Sequence, residues 1–216
     1  HAGVSSDVSR ETALSARYAQ FPGLPDFADI LATRGVERGL IGPREVPRLW
    51  SRHLVNCAVV AQESDGDLPQ GRTVADVGSG AGLPGLVWAL VRPDLQVTLI
   101  EPLLRRATFL SEVVDELSLS DRVSVLRARA EDVAPATFDV VTARAVARLP
   151  QLLAWTLPLA RVGGVVLALK GSGAQQEVAE AQGAAAGLGA GPVTIRSYGV
   201  GVIDPPTTVV VVPRMR

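Results

Sequence analysis

A chain of 216 residues with 47% apolar content has the size of one domain plus a short extension, with enough apolar side chains for a sizeable core. Its net charge of −1 argues against a generally basic nucleic-acid-coating protein. No apolar run approaches the roughly 18 residues of a membrane-spanning helix, and the single Cys57 excludes an internal disulfide and a cysteine metal cluster.

The opening His1-Ala-Gly-Val-Ser-Ser lacks the charged-then-apolar pattern of a signal peptide, so a cytoplasmic protein without a membrane partner is expected, and nothing in the pattern demands more than a monomer. Residues 1–10 carry no apolar period and are expected to be disordered. A first helix is predicted over 11–23, with Leu14, Tyr18 and Phe21 on one face. A second covers 24–35, with Phe27, Ile30 and Leu31 inward. Gly42-Pro43-Arg44-Glu45 is a break, and a third helix is predicted over 46–62. Its apolar face is Leu49, Leu54, Val55, Ala58 and Val59, with Cys57 as a buried small residue; Arg48, Ser51, Arg52 and Asn56 lie on the polar side, near His53. The polar stretch 64–71 separates a helical extension, residues 1–71, from a main domain, residues 72–216.

From Arg72 onward strands and helices alternate. Strands are predicted at 73–78, 96–101, 123–126, 138–143 and 164–169, with helices at 84–91, 103–117, 150–159 and 174–186. Segments 193–198 and 207–212 close the sheet as an antiparallel pair. The fold class is therefore α/β, Rossmann-like, with a mostly parallel seven-stranded sheet covered by helices on both faces.

The chain is organised around Thr73-Val-Ala-Asp-Val-Gly-Ser-Gly-Ala-Gly-Leu-Pro-Gly85, which reads as a buried strand, a glycine turn and a helix start. Gly78, Gly80 and Gly82 let the backbone turn sharply and approach a ligand, and Pro84 suits a first helical turn. Two ligand classes compete here. Gly80-Ala-Gly82-Leu-Pro-Gly85 satisfies the dinucleotide pattern G-x-G-x-x-G. The longer reading from Asp76 through Gly78, Gly80 and Gly82 is the loop of S-adenosylmethionine methyltransferases. A carboxylate at Asp76 favours the second, because it can orient the loop and meet the ammonium of a methionine moiety.

In such sheets ligands sit outside the carboxyl ends of the strands, where strand order reverses. Glu101 ends the second strand, where an acid can take both ribose hydroxyls; the competing reading is a surface glutamate. After the third strand comes Arg129-Ala130-Glu131-Asp132, able to read an adenine edge or merely to cap a helix. After the fourth comes Arg144 in a small-residue turn, and after the fifth comes Lys170, the only lysine in the chain. A snorkelling strand-end cation is the plainer reading of Lys170.

The motifs Trp50-Ser-Arg-His53-Leu, Asp76-Val-Gly-Ser-Gly-Ala-Gly-Leu-Pro-Gly85, Arg92-Pro93, Arg105-Arg106-x-x-Phe109-Leu110, Arg129-Ala-Glu131, Ala143-Arg144-Ala145 and Leu169-Lys170-Gly171 stand in one order. Together they resemble the glucose-inhibited division protein B (RsmG) family of bacterial 16S ribosomal RNA guanine-N7 methyltransferases. The chain departs from that pattern at Val55-Asn56-Cys57, where the family carries an aspartate and a serine; Asn56 can hydrogen-bond but has no charge. The resemblance implies S-adenosylmethionine as cofactor, with contacts at Gly78, Leu83, Ala130, Glu131 and Arg144; Asp76, Gly80, Gly82 and Glu101 complete the site by the general methyltransferase pattern. It implies 16S ribosomal RNA or the small ribosomal subunit as partner, with His53, Arg144 and Lys170 facing the RNA side as candidate catalytic residues.

Guanine N7 carries no proton, so the implied reaction needs alignment and electrostatics rather than a general base. Arg144 or Lys170 can donate to guanine O6 or hold phosphate. Arg44, Arg48, Arg52 and His53, with Arg105, Arg106, Arg127, Arg129, Arg144 and Arg148, are expected to line one face with the cleft. The rival readings are an NAD(P)-binding oxidoreductase, a small-molecule methyltransferase and a cofactor-binding regulator without catalysis.

Overall fold

The computed structural model describes residues 2–63 and 67–216, without the side chains of 2–4. The expected linker at 64–71 therefore falls partly outside the described residues. Among the described residues seven strands form one sheet: β1 (Thr73–Val77), β2 (Gln96–Ile100), β3 (Val123–Leu126), β4 (Phe138–Arg144), β5 (Ala160–Lys170), β6 (Thr194–Tyr198) and β7 (Thr207–Pro213). Their order is β3-β2-β1-β4-β5-β7-β6. The first five are parallel; β7 runs antiparallel between β5 and β6. Strand order reverses between β1 and β4, and this opens the crevice at their carboxyl ends.

Among the described residues seven α-helices accompany the sheet: α1 (Ala2–Tyr18), α2 (Leu24–Ile30), α3 (Val55–Glu63), α4 (Gly85–Val91), α5 (Leu104–Glu116), α6 (Leu149–Thr156) and α7 (Ala174–Gly187). Alternation along the strands sorts the core into two layers. Val74, Val97, Leu99, Val140, Leu167 and Leu169 face one layer with α1 to α5; Ala75, Val77, Ile100, Val141, Val166 and Ala168 face α6 and α7. The extension shares the first layer: Phe27, Leu31, Leu54 and Val55 pack in the same buried cluster as Trp88 and Phe109.

The expectation of disorder over 1–10 is corrected for residues 2–10, where α1 begins at Ala2; His1 lies outside the described residues. Residues 5–10 are exposed, so this part of the helix carries no apolar stripe for a sequence reading to find. Its later half is anchored, because Glu11 accepts the N–H groups of Trp50 and Ser51 at 2.9 and 3.0 Å, and Tyr18 donates to Gln62 at 3.0 Å. The single helix expected over 46–62 is instead a 3₁₀ segment (Pro43–Arg48), a π-helical turn (Trp50–Leu54) and α3. Pro43 and Pro47 lack the N–H that a regular α-helix would use. Strand β5 starts earlier than expected, with a register shift opposite Phe138–Val140. Among the described residues no helix is long and apolar enough to cross a membrane.

Gly85 opens α4 against the sheet. A Cβ there would lie 2.5 Å from Leu99 Cδ2 and 2.6 Å from Asp76 Oδ2. Both neighbours are buried, so Gly85→Ala is expected to lower unfolding free energy by about 1–3 kcal/mol in urea titrations; unchanged stability would show that the contact relaxes freely.

Candidate active site

The turn after β1 folds back over the end of β2. Gly78 and Ser79 donate their N–H groups to the Ile100 carbonyl at 2.8 and 3.1 Å. Gly78, Gly80 and Gly82 all take positive φ, at 68°, 57° and 96°, the region where a side chain is strained. Glu101 locks this turn: its Oε1 accepts from Gly80 N–H at 3.1 Å and its Oε2 from Leu103 N–H at 2.9 Å, with Arg106 3.8 Å away. Although only 2% exposed, Glu101 lines the crevice.

The crevice is two adjoining cavities that share Gly78, Pro102 and Val146. The first, of about 260 Å³, is largely apolar, with Val77, Ile100, Ala130, Glu131 and Trp155 in its wall. The second, of about 400 Å³, is lined by the glycine turn, Leu83, Glu101, Arg106, His53 and Arg144. Of the residues singled out from the sequence, Gly78, Gly80, Leu83, Glu101, Ala130, Glu131, Arg144 and His53 meet in this crevice.

Asp76 does not line it. The side chain lies on the Val74 face of β1, fully buried beneath α4, where Oδ2 accepts Gly85 N–H at 2.9 Å. Its Oδ1 has no hydrogen-bond partner. Burial pushes its carboxyl up to about 7, against the pull of the Gly85 N–H. The loop-orienting half of its expected role is thus visible. Gly82 is also absent from the wall, because its missing Cβ makes room for Leu86, which would lie 2.5 Å away.

Arg144 ends β4 with its guanidinium tied on two sides. Nη2 meets His53 Nδ1 at 2.5 Å and Nη1 donates to Cys57 Sγ at 3.3 Å. His53 Nε2 lies 3.0 Å from Glu45 Oε2. Burial and the neighbouring Arg144 charge hold His53 below the usual imidazole range, although Glu45 opposes them. His53 is therefore neutral near pH 7. Burial likewise raises the Cys57 thiol, so a neutral S–H faces Arg144.

Lys170 is a correction. Its side chain is 7% exposed and committed to the Ala147 carbonyl at 2.6 Å and Glu177 at 3.0 Å. Glu177 also accepts Leu149 N–H at 2.7 Å. The lysine braces the loop after β4 and the start of α6; it does not face the crevice. Nor does it snorkel. A hydrogen-bond acceptor on a separate helix, α7, captures it, and spacing along the chain cannot show that.

The arginines divide. Arg106, Arg129 and Arg144 line the crevice, while Arg48 and Arg52 line a separate hollow of about 360 Å³ with Arg10. Arg148 pairs with Glu180 at 2.6 Å, and Arg44, Arg105 and Arg127 are exposed. The expected single basic face is thus only partly assembled around the crevice. Asn56 does not reach the crevice wall; its Nδ2 donates to Thr207 Oγ1 at 2.9 Å and ties α3 to β7. The sequence reading missed Glu45, the partner of His53, and Trp155, which reaches the cavity from α6. A carboxylate eight residues before a histidine across a proline break offers no helical spacing to read.

A glycine turn after β1, a carboxylate after β2 and this strand order define an α/β fold of the methyltransferase kind. Solved structures agree. A Methanococcus maripaludis protein described as a candidate S-adenosyl-L-methionine-dependent methyltransferase superposes with a TM-score of 0.62 at 12% identity, over 89% of this chain and 92% of that one. A geranyl diphosphate methyltransferase solved with sinefungin superposes with a TM-score of 0.57 at 16% identity, over 86% of each chain.

Sequence similarity is far higher to one group. Residues 20–201 match the GidB family model, rRNA small subunit methyltransferase G. The chain is 55% identical over 197 residues to ribosomal RNA small subunit methyltransferase G of Salinispora tropica, covering 88% of this chain and 80% of that protein. It is 53% identical over 208 residues to the Thermobifida fusca protein of the same name, covering 96% and 84%. The chain belongs to this family, and the dinucleotide reading of the glycine turn is set aside.

Because the Asp76 carboxyl is held up in the fold, this group binds more proton in the folded protein than in the unfolded chain between pH 4 and about 7. Its stabilising contribution is full below the unfolded pKa and is lost as pH rises through about 7. Asp76→Asn cannot ionise. Urea unfolding is therefore expected to show the variant gaining on the wild type by roughly 2–4 kcal/mol from pH 4 to pH 8.5; a pH-independent difference would contradict the buried-acid account.

Proposed function

We propose that this protein transfers a methyl group from S-adenosylmethionine to N7 of a guanine in the 16S RNA of the small ribosomal subunit. The reading is carried by one observation: Glu101 stands beside the junction of an apolar cavity and a polar one, with Arg144 at the polar side, in a chain of the small-subunit rRNA methyltransferase family.

The residues fit the cofactor. Two backbone N–H groups hold Glu101 in place and leave it lone pairs for the two hydroxyls of a ribose. Val77, Ile100 and Trp155 offer an apolar slot for an adenine, with Ala130 and Glu131 at its edge. Gly78 and Leu83 line the side where a methionine moiety would lie. When bound, S-adenosylmethionine supplies a methyl group on an electron-poor sulfonium. The protein's part is to hold that methyl in line with an attacking nitrogen and to keep water away.

Guanine N7 presents a lone pair and no proton, so no group in the crevice has to act as a base. That suits His53, whose Nδ1 is already occupied by Arg144. A guanidinium has five N–H donors, and those not spent on His53 and Cys57 remain to bond guanine O6 or a phosphate. With Lys170 committed elsewhere, Arg144 carries the acceptor-side role. Arg106 and Arg129 add positive charge along the same rim, where an RNA backbone would lie. An unstacked base from a loop is the form of RNA that enters such a crevice.

Mapping N7-methylguanine in 16S RNA of undermethylated small subunits, before and after incubation with the protein, tests this directly. One new N7-methylguanine is expected. Arg144→Ala is expected to lower transfer by roughly 100-fold or more while thermal unfolding stays cooperative. No new modified guanine would overturn the proposed reaction, and an unchanged rate in the variant would remove the role of Arg144.

A further inference from the structure

The arginine that ends β4 does not hold its own position. Its guanidinium has donors and no acceptor. At 2.5 Å from Nη2, the Nδ1 atom of His53 must therefore be the acceptor of that hydrogen bond, and an unprotonated ring nitrogen is the only form that accepts. The ring proton is then on Nε2, and the atom it meets is Glu45 Oε2 at 3.0 Å. The three residues come from three separate places: the 3₁₀ segment Pro43–Arg48, the π-helical turn Trp50–Leu54 and the end of β4. A π-helical turn inserts a residue into the helical repeat, and such turns recur at functional sites. His53 is 14% exposed at its side chain, and its proton could find water if Glu45 were missing. Either ring nitrogen could then carry the proton, and a proton on Nδ1 would set a donor against a donor at Arg144.

We propose that Glu45 is a positioning residue of the active site: it holds His53 as the Nε2–H tautomer, so that Nδ1 accepts from Arg144 and aims the guanidinium at the acceptor side of the crevice. The inference rests on the acceptor-side role of Arg144 proposed above. Residues before the glycine turn thereby become part of the site. Cys57 completes the mount from α3, where its sulfur takes the other arm of the guanidinium at 3.3 Å. The charged groups around this chain of contacts are Glu45, Arg48, Arg52, Arg144 and, beneath Cys57 and Arg144, Asp76; Arg48 approaches Glu45 at 3.5 Å but leaves it the partner of His53.

The chain has two histidines, His1 and His53, so imidazole nitrogens can be assigned by comparison with a His1→Ala protein. Long-range proton–nitrogen correlation spectra of the ¹⁵N-labelled protein at pH 7.5 read the tautomer with neither cofactor nor RNA present. The wild type is expected to show His53 with Nε2 protonated. Glu45→Gln should keep that pattern, because the amide oxygen still accepts; Glu45→Ala should show a mixture or the Nδ1–H form. Single-turnover methyl transfer to undermethylated small subunits, at saturating cofactor, should fall roughly 10- to 100-fold in Glu45→Ala and stay near wild type in Glu45→Gln. An Nδ1–H tautomer in the wild type would overturn the proposal. An unchanged tautomer in Glu45→Ala would do the same, whatever its activity, and so would a changed tautomer with an unchanged rate. If the wild type transferred no methyl to small subunits, the proposed reaction would fail, while the tautomer pattern across the three proteins would still decide how Arg144 is held.

Discussion

Glu101 joins two strand ends through one carboxylate. Gly80 N–H on the turn after β1 and Leu103 N–H at the entry to α5 both converge on it. In a crevice open to water, two backbone donors fixed on a nearly buried acid set the shape of the turn and the height of the cavity floor. Glu101 also stands in the wall of the crevice that these ends enclose. Gly78 is brought under Val146, close enough that a Cβ would touch its methyl at 2.9 Å. The apolar cavity lies on one side of this junction, and the polar cavity with Arg144 on the other.

A second carboxylate works from below. Asp76 takes the first free N–H of α4 and so fixes where the turn ends and the helix begins. It does so without solvent, and the cost of burying it appears in its raised carboxyl. The two acids divide the work that a single motif suggested: one shapes the loop from within the core, the other presents lone pairs at the wall. Lys170 repeats the division on the far side of β4. Its contacts with Ala147 and Glu177 brace the loop that follows Arg144, so the lone lysine supports the site from outside the crevice.

Much of this is legible in the sequence. The alternation of apolar runs and turns placed each strand of the parallel sheet to within a few residues, because a strand buried on both faces has few alternatives. Glu101, Gly78, Ala130 and Arg144 were legible because strand ends at a reversal of order must converge. Three things were hidden. The first turns of α1 have no apolar face, since residues 5–10 are exposed. The π-helical turn at Trp50–Leu54 begins where Glu11 takes the Trp50 and Ser51 N–H groups, and no periodic pattern records that contact. Lys170 finds its partners on the loop after β4 and on the neighbouring α7, and His53 finds its own across a proline break and at the end of β4, so hydrogen bonding alone reveals them. The departure at Asn56 found a physical meaning too: its bonds to Thr207 fasten the extension to the sheet.

The account stands or falls on what the free lone pairs of Glu101 do. Calorimetric titration of the intact protein with S-adenosylhomocysteine, and with its 2′,3′-dideoxyribose counterpart, isolates that contact without altering the turn. The ribose compound is expected to bind roughly 10- to 1,000-fold more tightly, the worth of one or two hydrogen bonds to a charged group. Equal affinities for the two compounds would contradict the account.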